Sequence, residues 1–182
     1  MCTVNAWRHF LTAIGVLLVT HAVTVWALPR VIMWRVMTVA GTETNAAGTF
    51  LPPPTDHTAR RIVMPSPDLL YATCSFSLRD GPVRVSFDGR YTRYWSIALY
   101  ADNSDNFFVT GDRNATDQPL QWLVSTSRQA ASTVGGVAEQ RITAPSDRVF
   151  LLMRLLVNDD PTVLAEAERA RRTLRCTKSA ES

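Results

Sequence analysis

A short polar stretch, Asp102 to Asn106, interrupts an aromatic and aliphatic part of the sequence and carries the side chains best suited to chemistry. Asp102, Ser104 and Asn106 have the one-three-five spacing of the first oxygen ligands in a calcium-binding loop. The glycine that such a loop needs next is replaced by Phe107, and Arg113 stands where the bidentate glutamate belongs. The EF-hand pattern therefore fails. Another oxygen-rich cation site stays open, but the favoured interpretation is a hairpin loop rich in turn-forming Asp and Asn.

The position of this stretch, directly after an aromatic strand, also makes it the candidate rim of a ligand-binding pocket. Arg154 is a further candidate, because it interrupts a nearly continuous apolar segment and a buried arginine needs a partner. We expect Arg154 to face either solvent or an acid such as Asp102 or Asp112. The candidate ligand-binding residues are Trp95, Tyr100, Asp102, Asn106, Asp112, Arg113 and Arg154.

No catalytic or metal-binding pattern stands out in the sequence. The histidines, His9, His21 and His57, show no zinc-ligand spacing among themselves or with the cysteines. Cys74 as a nucleophile would need a nearby base, and His57 lies in a proline-rich spacer. We therefore predict no catalytic residue, no metal site and no cofactor. The net charge of +3 is too small to indicate nucleic acid as a partner.

The segment from Phe10 to Leu28 carries no formal charge. As a helix it would span about 28 Å, close to the ~30 Å hydrocarbon thickness of a bilayer. Pro29 and Arg30 are expected to end it. A signal peptide cleaved after Ala27 is the alternative, but the apolar core exceeds the usual ~7–15 residues. We predict that residues 1–29 form an N-terminal anchor in the lipid bilayer.

The next part of the chain, residues 30–63, is predicted to be a linker or an interfacial segment rich in Pro, Thr and Gly. Its first part, residues 31–40, either continues as an interfacial helix or forms a first strand. Pro52-Pro53-Pro54 favours a stiff, extended spacer, because proline fixes its own φ angle. The remaining residues, 64–182, are predicted to form one β-rich domain.

Alternating apolar and polar residues at 83–87 predict a half-buried strand. Asp88-Gly89 then predicts a tight hairpin turn, with a return strand over 91–100. Residues 148–157 are nearly all apolar, which is typical of a strand covered on both faces. Further strands are expected at 107–110, 121–125 and 139–143.

A helix is predicted after the last of these strands, with Asp160 as its N-cap and Pro161 in the first helical position. The arginines within 169–175 are interpreted as a solvated helix face, and Glu168 with Arg172 as a mildly favourable pair four residues apart. The predicted buried face comprises Val163, Ala167, Ala170 and Leu174. The expected fold class is mainly β (α+β): one N-terminal transmembrane helix, an antiparallel β sandwich or barrel-like domain, and a C-terminal helix.

Three segments, residues 64–87, 94–113 and 142–176, together resemble a bacterial family known as domain of unknown function 1254, and its short, singly anchored members most of all. They show a strand ending in an Asp-Gly-Pro turn, a strand pair of the form YWS…LY…N-F, and an APxxxxxLxxRxLV strand followed by a helix. The resemblance implies a mainly β domain tied to the inner membrane. In longer relatives a second domain, of unknown function 1214, follows, which implies a separately encoded companion protein here. The family carries no accepted catalytic residues, so none is transferred.

Cys74 and Cys176 both lie in the matched segments, and we hypothesise that they form a disulfide; two separately buried thiols are the alternative. Oxidised pairs persist in the periplasm and not in the cytosol. Cys2, before the apolar segment, would stay reduced in the cytoplasm. The expected location is therefore a single-pass protein of the bacterial inner membrane with a periplasmic β domain.

The function expected from these observations is a membrane-anchored cell-envelope protein whose β domain binds a partner protein or a small ligand without chemistry. One alternative is an enzyme with a pocket near Trp95 to Arg113. Another is a structural subunit that pairs with a companion domain.

Overall fold

The computed structural model describes residues 2–42, 44, 48–55, 65–114, 119–130 and 140–179. In these ranges the helices are α1 (Cys2–Thr42), α2 (Ser127–Ala130) and α3 (Pro161–Arg171). The strands are β1 (Thr49–Phe50), β2 (Leu69–Ser77), β3 (Val83–Phe87), β4 (Trp95–Ala101), β5 (Asn106–Gly111), β6 (Leu120–Thr126), β7 (Gln140–Ala144), β8 (Arg148–Leu156) and β9 (Arg175–Lys178).

The strands form two sheets, which confirms the mainly β fold class. One sheet has the order β1-β2-β8-β4-β5, and the other has the order β7-β6-β3-β9. Every pairing is antiparallel except that of β6 with β7, which is parallel. Side chains of both sheets join one hydrophobic core, in which Trp95 of β4 meets Phe87 of β3 edge to face at 4.9 Å between ring centroids. The domain is therefore a β sandwich.

The predicted hairpin at Asp88-Gly89 was wrong. β3 pairs with β6 and β9, whereas β4 pairs with β5 and β8, so the chain from 88 to 94 crosses from one sheet to the other. Gly89 does adopt a positive φ of 73°, as its turn requires. The Tyr91 hydroxyl donates a hydrogen bond of 2.5 Å to the Leu156 carbonyl and holds the crossing against the end of β8. The alternation of apolar and polar residues cannot distinguish two strands paired in a hairpin from two strands in facing sheets. Strands on opposite sides of one core show the same pattern.

The helix α1 continues through Pro29 to Thr42, so the prediction that it ends at Pro29 and Arg30 was wrong. Of the two alternatives for residues 31–40, the helix is the one that forms. Its last turns lie on the outer face of the five-stranded sheet, where Met33, Met37 and Ala40 are buried in one cluster with Phe150 of β8. This packing explains why the helix survives a proline, since tertiary contacts offset the lost backbone hydrogen bond.

Strand β8 is consequently covered on both faces over part of its length, as its apolar sequence predicts. Its inner face, Val149, Leu151, Met153 and Leu155, is 0% exposed. On its outer face, Phe150 is buried and Leu152 half-buried beneath α1. The strand therefore connects the sandwich core to the long helix.

Helix α3 begins as expected, with the Asp160 carboxylate accepting a 2.8 Å hydrogen bond from the Thr162 amide. Val163, Ala167 and Ala170 are buried in the core, and Leu174 follows the helix with 0% exposure. The predicted apolar face is therefore confirmed.

The prediction of a fully solvated arginine face was wrong at Arg171, which is only 3% exposed. Its guanidinium donates to both carboxylate oxygens of Glu168, to the Pro52 carbonyl at 2.6 Å and to the Tyr71 carbonyl at 2.8 Å. Neighbouring Arg172 is largely exposed and forms the expected pair with Glu168 at 3.7 Å. Arg171 thus ties α3 to β2 and to the proline-rich segment.

Replacing Arg171 with Met is expected to lower the free energy of unfolding by about 2–4 kcal/mol, because buried carbonyls and Glu168 lose their donor. The matched change Arg172→Met removes an exposed arginine from the next position and should cost less than about 0.5 kcal/mol. Urea unfolding followed by circular dichroism measures both values. Equal losses in the two variants would contradict the structural role of Arg171.

The contact between Arg171 and Glu168 also predicts how the free energy of unfolding changes at acidic pH. The pKa of Glu168 is lowered, chiefly by the hydrogen bond from the Arg171 side chain. The stabilisation is therefore present above the unfolded-state pKa of this carboxyl and is lost as the pH falls through the folded-state pKa. Arg171→Met should lose less stability than the unmodified protein on acidification through this range. Parallel curves of unfolding free energy against pH for the two proteins would count against a stabilising contact between Arg171 and Glu168.

A disulfide joins Cys74 of β2 to Cys176 of β9 and so links the two sheets. The two Cα atoms are 6.5 Å apart, and the residues are separated by 102 positions in the chain. Gly48 lies beside this link with a φ of 73°, and a β-carbon added there would approach the Cys176 carbonyl oxygen to 2.2 Å. A glycine is required at this point because any side chain would collide with the backbone of β9.

The double substitution Cys74→Ala and Cys176→Ala is expected to lower the free energy of unfolding by roughly 3–5 kcal/mol, because the unfolded chain regains the entropy of a large loop. Cys2→Ala is the control, since Cys2 takes no part in the link. Thermal and urea unfolding under non-reducing conditions check the effect. An unfolding midpoint that matches the Cys2→Ala control would refute a stabilising disulfide.

Candidate functional site

Six of the seven residues selected from the sequence as ligand-binding fall into two groups at opposite ends of the β4–β5 hairpin. Trp95, Asp112 and Arg113 lie at the open end, where β4 begins and β5 finishes. Asp102 and Asn106 lie at the turn, together with Tyr100 as the last outward-facing residue of β4. β4 has 7 residues, so the two groups are on the order of 20 Å apart. The structure does not bring them into one rim.

The open end of the hairpin contains a shallow depression of about 380 Å³. Its lining comprises Tyr94, Trp95 and Ser96 on one side and residues 109–114 on the other. The Trp95 side chain is 1% exposed and packs in the core, so its ring supports the depression from below. Asp112 and Arg113 place one negative and one positive charge on the wall. The lining surface itself is mainly apolar, so the depression suits an apolar group with the two charges at its edge.

The floor of this depression depends on Gly111. The Asp112 amide donates a 3.2 Å hydrogen bond to the Trp95 carbonyl, which holds the end of β5 against β4. A β-carbon at position 111 would stand 2.7 Å from that same carbonyl oxygen. Gly111 was not selected from the sequence, although a glycine inside a strand is a recognised sign of close backbone approach.

Arg154 lies beside the depression on the outer face of β8, paired in register with Ser96 of β4 and Tyr71 of β2. It is half-buried, and no ion pair joins it to Asp102 or Asp112 within the described ranges. Three large apolar side chains in this region are well exposed: Tyr94 at 45%, Val109 at 57% and Leu156 at 40%. An arginine among exposed apolar residues is a composition favoured at protein interfaces.

The polar stretch 102–105 is the turn of the β4–β5 hairpin, which confirms the favoured interpretation. The Ala101 amide donates to the Asp105 carbonyl at 2.9 Å, and Ser104 adopts a positive φ of 75°. The Asn103 side-chain amide donates to the Asp105 carboxylate, and its oxygen accepts a hydrogen bond from the Asp105 backbone amide. In the described part of the chain, no group of three or more His, Cys, Asp or Glu side chains is arranged to hold a metal ion.

Two further contacts fix this turn in place. The Asp102 amide donates to the Ser146 hydroxyl at 3.2 Å, and Ser146 donates in turn to the Arg148 carbonyl of β8 at 2.7 Å. The Ser104 hydroxyl donates to the Pro29 carbonyl of α1 at 3.4 Å. The polar residues of the turn thus serve its own geometry and its contact with the long helix.

These features define a class of protein: a two-sheet β domain that carries a long, exposed apolar helix at its N-terminus. The chain belongs to the family described as a protein of unknown function (DUF1254), whose model matches residues 45–178. The resemblance to the family itself is therefore confirmed, and the preference for its short, singly anchored members stays a prediction.

One solved structure gives the fold further support. The VPA0106 protein from Vibrio parahaemolyticus is similar with a TM-score of 0.64 at 13% identity, over 85% of this chain and 36% of that chain. An uncharacterised protein from Burkholderia cenocepacia has a TM-score of 0.42 at 17% identity, over 70% of this chain and 33% of that chain. The chain thus spans about a third of the length of these two proteins. No curated protein matches it.

Gly111→Ala is expected to weaken the β4–β5 pairing at the depression by about 1–2 kcal/mol, because the new β-carbon collides with the Trp95 carbonyl. The amide of Asp112 should then exchange its hydrogen about tenfold faster, as measured by hydrogen exchange with mass or NMR detection. Val109→Ala, at an exposed position of the same strand, is the control and should leave this rate unchanged. Unaltered exchange in Gly111→Ala would show that the strand end tolerates a side chain.

Proposed function

We propose that this chain is a membrane-anchored protein of the bacterial cell envelope whose β domain binds a partner protein or a small ligand. The observation that carries the proposal is the exposure of α1. Its candidate span, Trp7–Gly41, contains a window with a mean hydropathy of 2.0, none of which is buried in the protein. Large apolar side chains from Phe10 to Leu28 are 39–66% exposed, which water disfavours and hydrocarbon accepts.

Two hydroxyl side chains of this helix are compatible with lipid. The Thr12 and Thr24 hydroxyls donate to the Arg8 and Thr20 carbonyls at 2.8 Å, one turn earlier in the same helix. The hydroxyl donors therefore do not need water. A cleaved signal sequence has a similar apolar segment, but here the same helix runs on to Thr42 and packs on the domain.

The disulfide supports a location on the oxidising side of the membrane. A link between Cys74 and Cys176 persists in the periplasm and is reduced in the cytosol. With one span, the N-terminus then lies in the cytoplasm and the β sandwich in the periplasm. The inner membrane is the bilayer that fits this topology.

For the binding role, the proposed contact surface is the depression at the open end of the β4–β5 hairpin, together with Arg154 and the exposed side chains of Tyr94, Val109 and Leu156. Apolar area with an arginine favours a protein partner, and a separately encoded companion domain is the partner we propose. The same surface would serve a structural subunit that pairs with this companion.

Anchoring is tested by fractionation of cells that produce the full chain. The protein is expected to stay in the membrane pellet after carbonate washing, to be digested by protease added to spheroplasts, and to retain its residues before Ala27. Release into the soluble fraction, or a mature N-terminus downstream of Ala27, would overturn the anchored topology.

The contact surface is tested by crosslinking in intact membranes followed by purification. Arg154→Glu is expected to reduce recovery of a stoichiometric companion by at least about tenfold, because it reverses a half-buried charge at the surface. Arg169→Glu, the same change on exposed α3, is the control and should leave recovery unchanged. Equal recovery with both variants would remove this surface from the proposal.

A further inference from the structure

The contact between the β4–β5 turn and α1 occurs at the residue that follows the uncharged segment of the helix, Phe10 to Leu28. Ser104 bonds the carbonyl of Pro29 itself, directly after the uncharged stretch that ends at Leu28. The height of the turn above the bilayer is therefore set by this contact, whatever bend the proline introduces into the helix. The inference that follows rests on the proposed membrane anchoring.

Trp26 and Arg30 form a cation–π pair on α1 close to Pro29. The Arg30 guanidinium lies 4.4 Å from the centroid of the Trp26 ring and donates to the Trp26 carbonyl at 2.6 Å. The Trp26 side chain is 63% exposed and Arg30 is partly exposed, so both residues are accessible to lipid. Tryptophan and arginine each have an apolar body and a polar end. Such side chains are favoured in the headgroup layer, which lies between hydrocarbon and water.

The domain cannot swing away from this level on a flexible linker. α1 is continuous to Thr42, and Met33, Met37 and Ala40 are buried on the sheet directly above the contact. On the other side, Ser146 braces the turn against β8. The sandwich and the span are thus joined along one packed surface, and the turn contacts the helix directly after its uncharged segment.

We propose that the β4–β5 turn, residues 102–105, rests in the headgroup layer of the bilayer and contacts zwitterionic phospholipid. Arg30 has five N–H donors, of which one is used on the Trp26 carbonyl, and a guanidinium recognises phosphate. Asp102 and Asp105 in the turn are exposed carboxylates that match the ammonium group of phosphatidylethanolamine. The sandwich therefore sits on the membrane in one orientation, with this turn at the bilayer surface.

This orientation is tested by the depth of two exposed aspartates. Asp102 lies at the turn, and Asp159 lies beyond the opposite end of β8, on the order of 20 Å away along the strands. Each is changed to Cys in the full chain with Cys2→Ser, labelled with a fluorophore under non-reducing conditions, and placed in vesicles of phosphatidylcholine and phosphatidylethanolamine. A minor fraction of the lipid carries a nitroxide quencher on its headgroup.

The label at position 102 is expected to be quenched at least about twofold more strongly than the label at 159, because quenching falls steeply over ~20 Å. Equal, weak quenching at both positions would overturn the proposal. Flotation of the vesicles separates the two hypotheses: protein that does not float contradicts the anchoring, whereas protein that floats with an unquenched label contradicts only the orientation.

A second pair of variants tests the rigid connection. Met37→Asp places a charge in the buried contact between α1 and the sheet and is expected to remove most of the difference between positions 102 and 159. Thr38→Asp, on the exposed side of the same turn, should preserve it. If a folded Met37→Asp protein keeps the same difference in quenching between positions 102 and 159, the rigid connection is refuted. If this variant does not fold, the proposal is judged by the quenching of the two labels in the protein with an unmodified helix.

Discussion

Burial of β8 on both faces is the constraint on which the arrangement of the molecule depends. Its inner face forms the centre of the sandwich, and its outer face receives the end of α1. An apolar strand of this kind is stable only where both faces are covered, because each exposed large side chain costs about 1.5–3 kcal/mol relative to its burial. The long helix is therefore a part of the domain as well as its proposed route into the membrane.

Three contacts between distant parts of the chain close the sandwich around this strand. The disulfide joins β2 to β9 across the core, Arg171 holds α3 to β2, and Tyr91 fastens the crossing between the sheets to the end of β8. Arg171 and Tyr91 contribute polar groups that are expensive to bury without hydrogen-bond partners, and both have such partners here. Their common effect is to fix the sheet whose outer face carries both the helix contact and the proposed partner surface.

The two ends of the β4–β5 hairpin consequently have different roles. The turn is bonded to α1 at Pro29, and the open end carries the depression with Arg154 beside it. In the proposed anchored topology, the turn contacts the bilayer and the open end stays free for the proposed partner. The separation between the two ends divides the residues selected from the sequence into these two sets.

The sequence by itself determined the features that depend on neighbours in the chain. Apolar length predicted the helix, alternation and apolar runs predicted most strands, and Asp160-Pro161 predicted the start of α3. Tertiary structure decided what depends on distant partners: that α1 passes Pro29, that β3 and β4 belong to different sheets, and that Arg171 is buried. The physical reason is that a local pattern reports whether a side chain will be buried, whereas the surface that buries it is supplied by residues far away in the sequence.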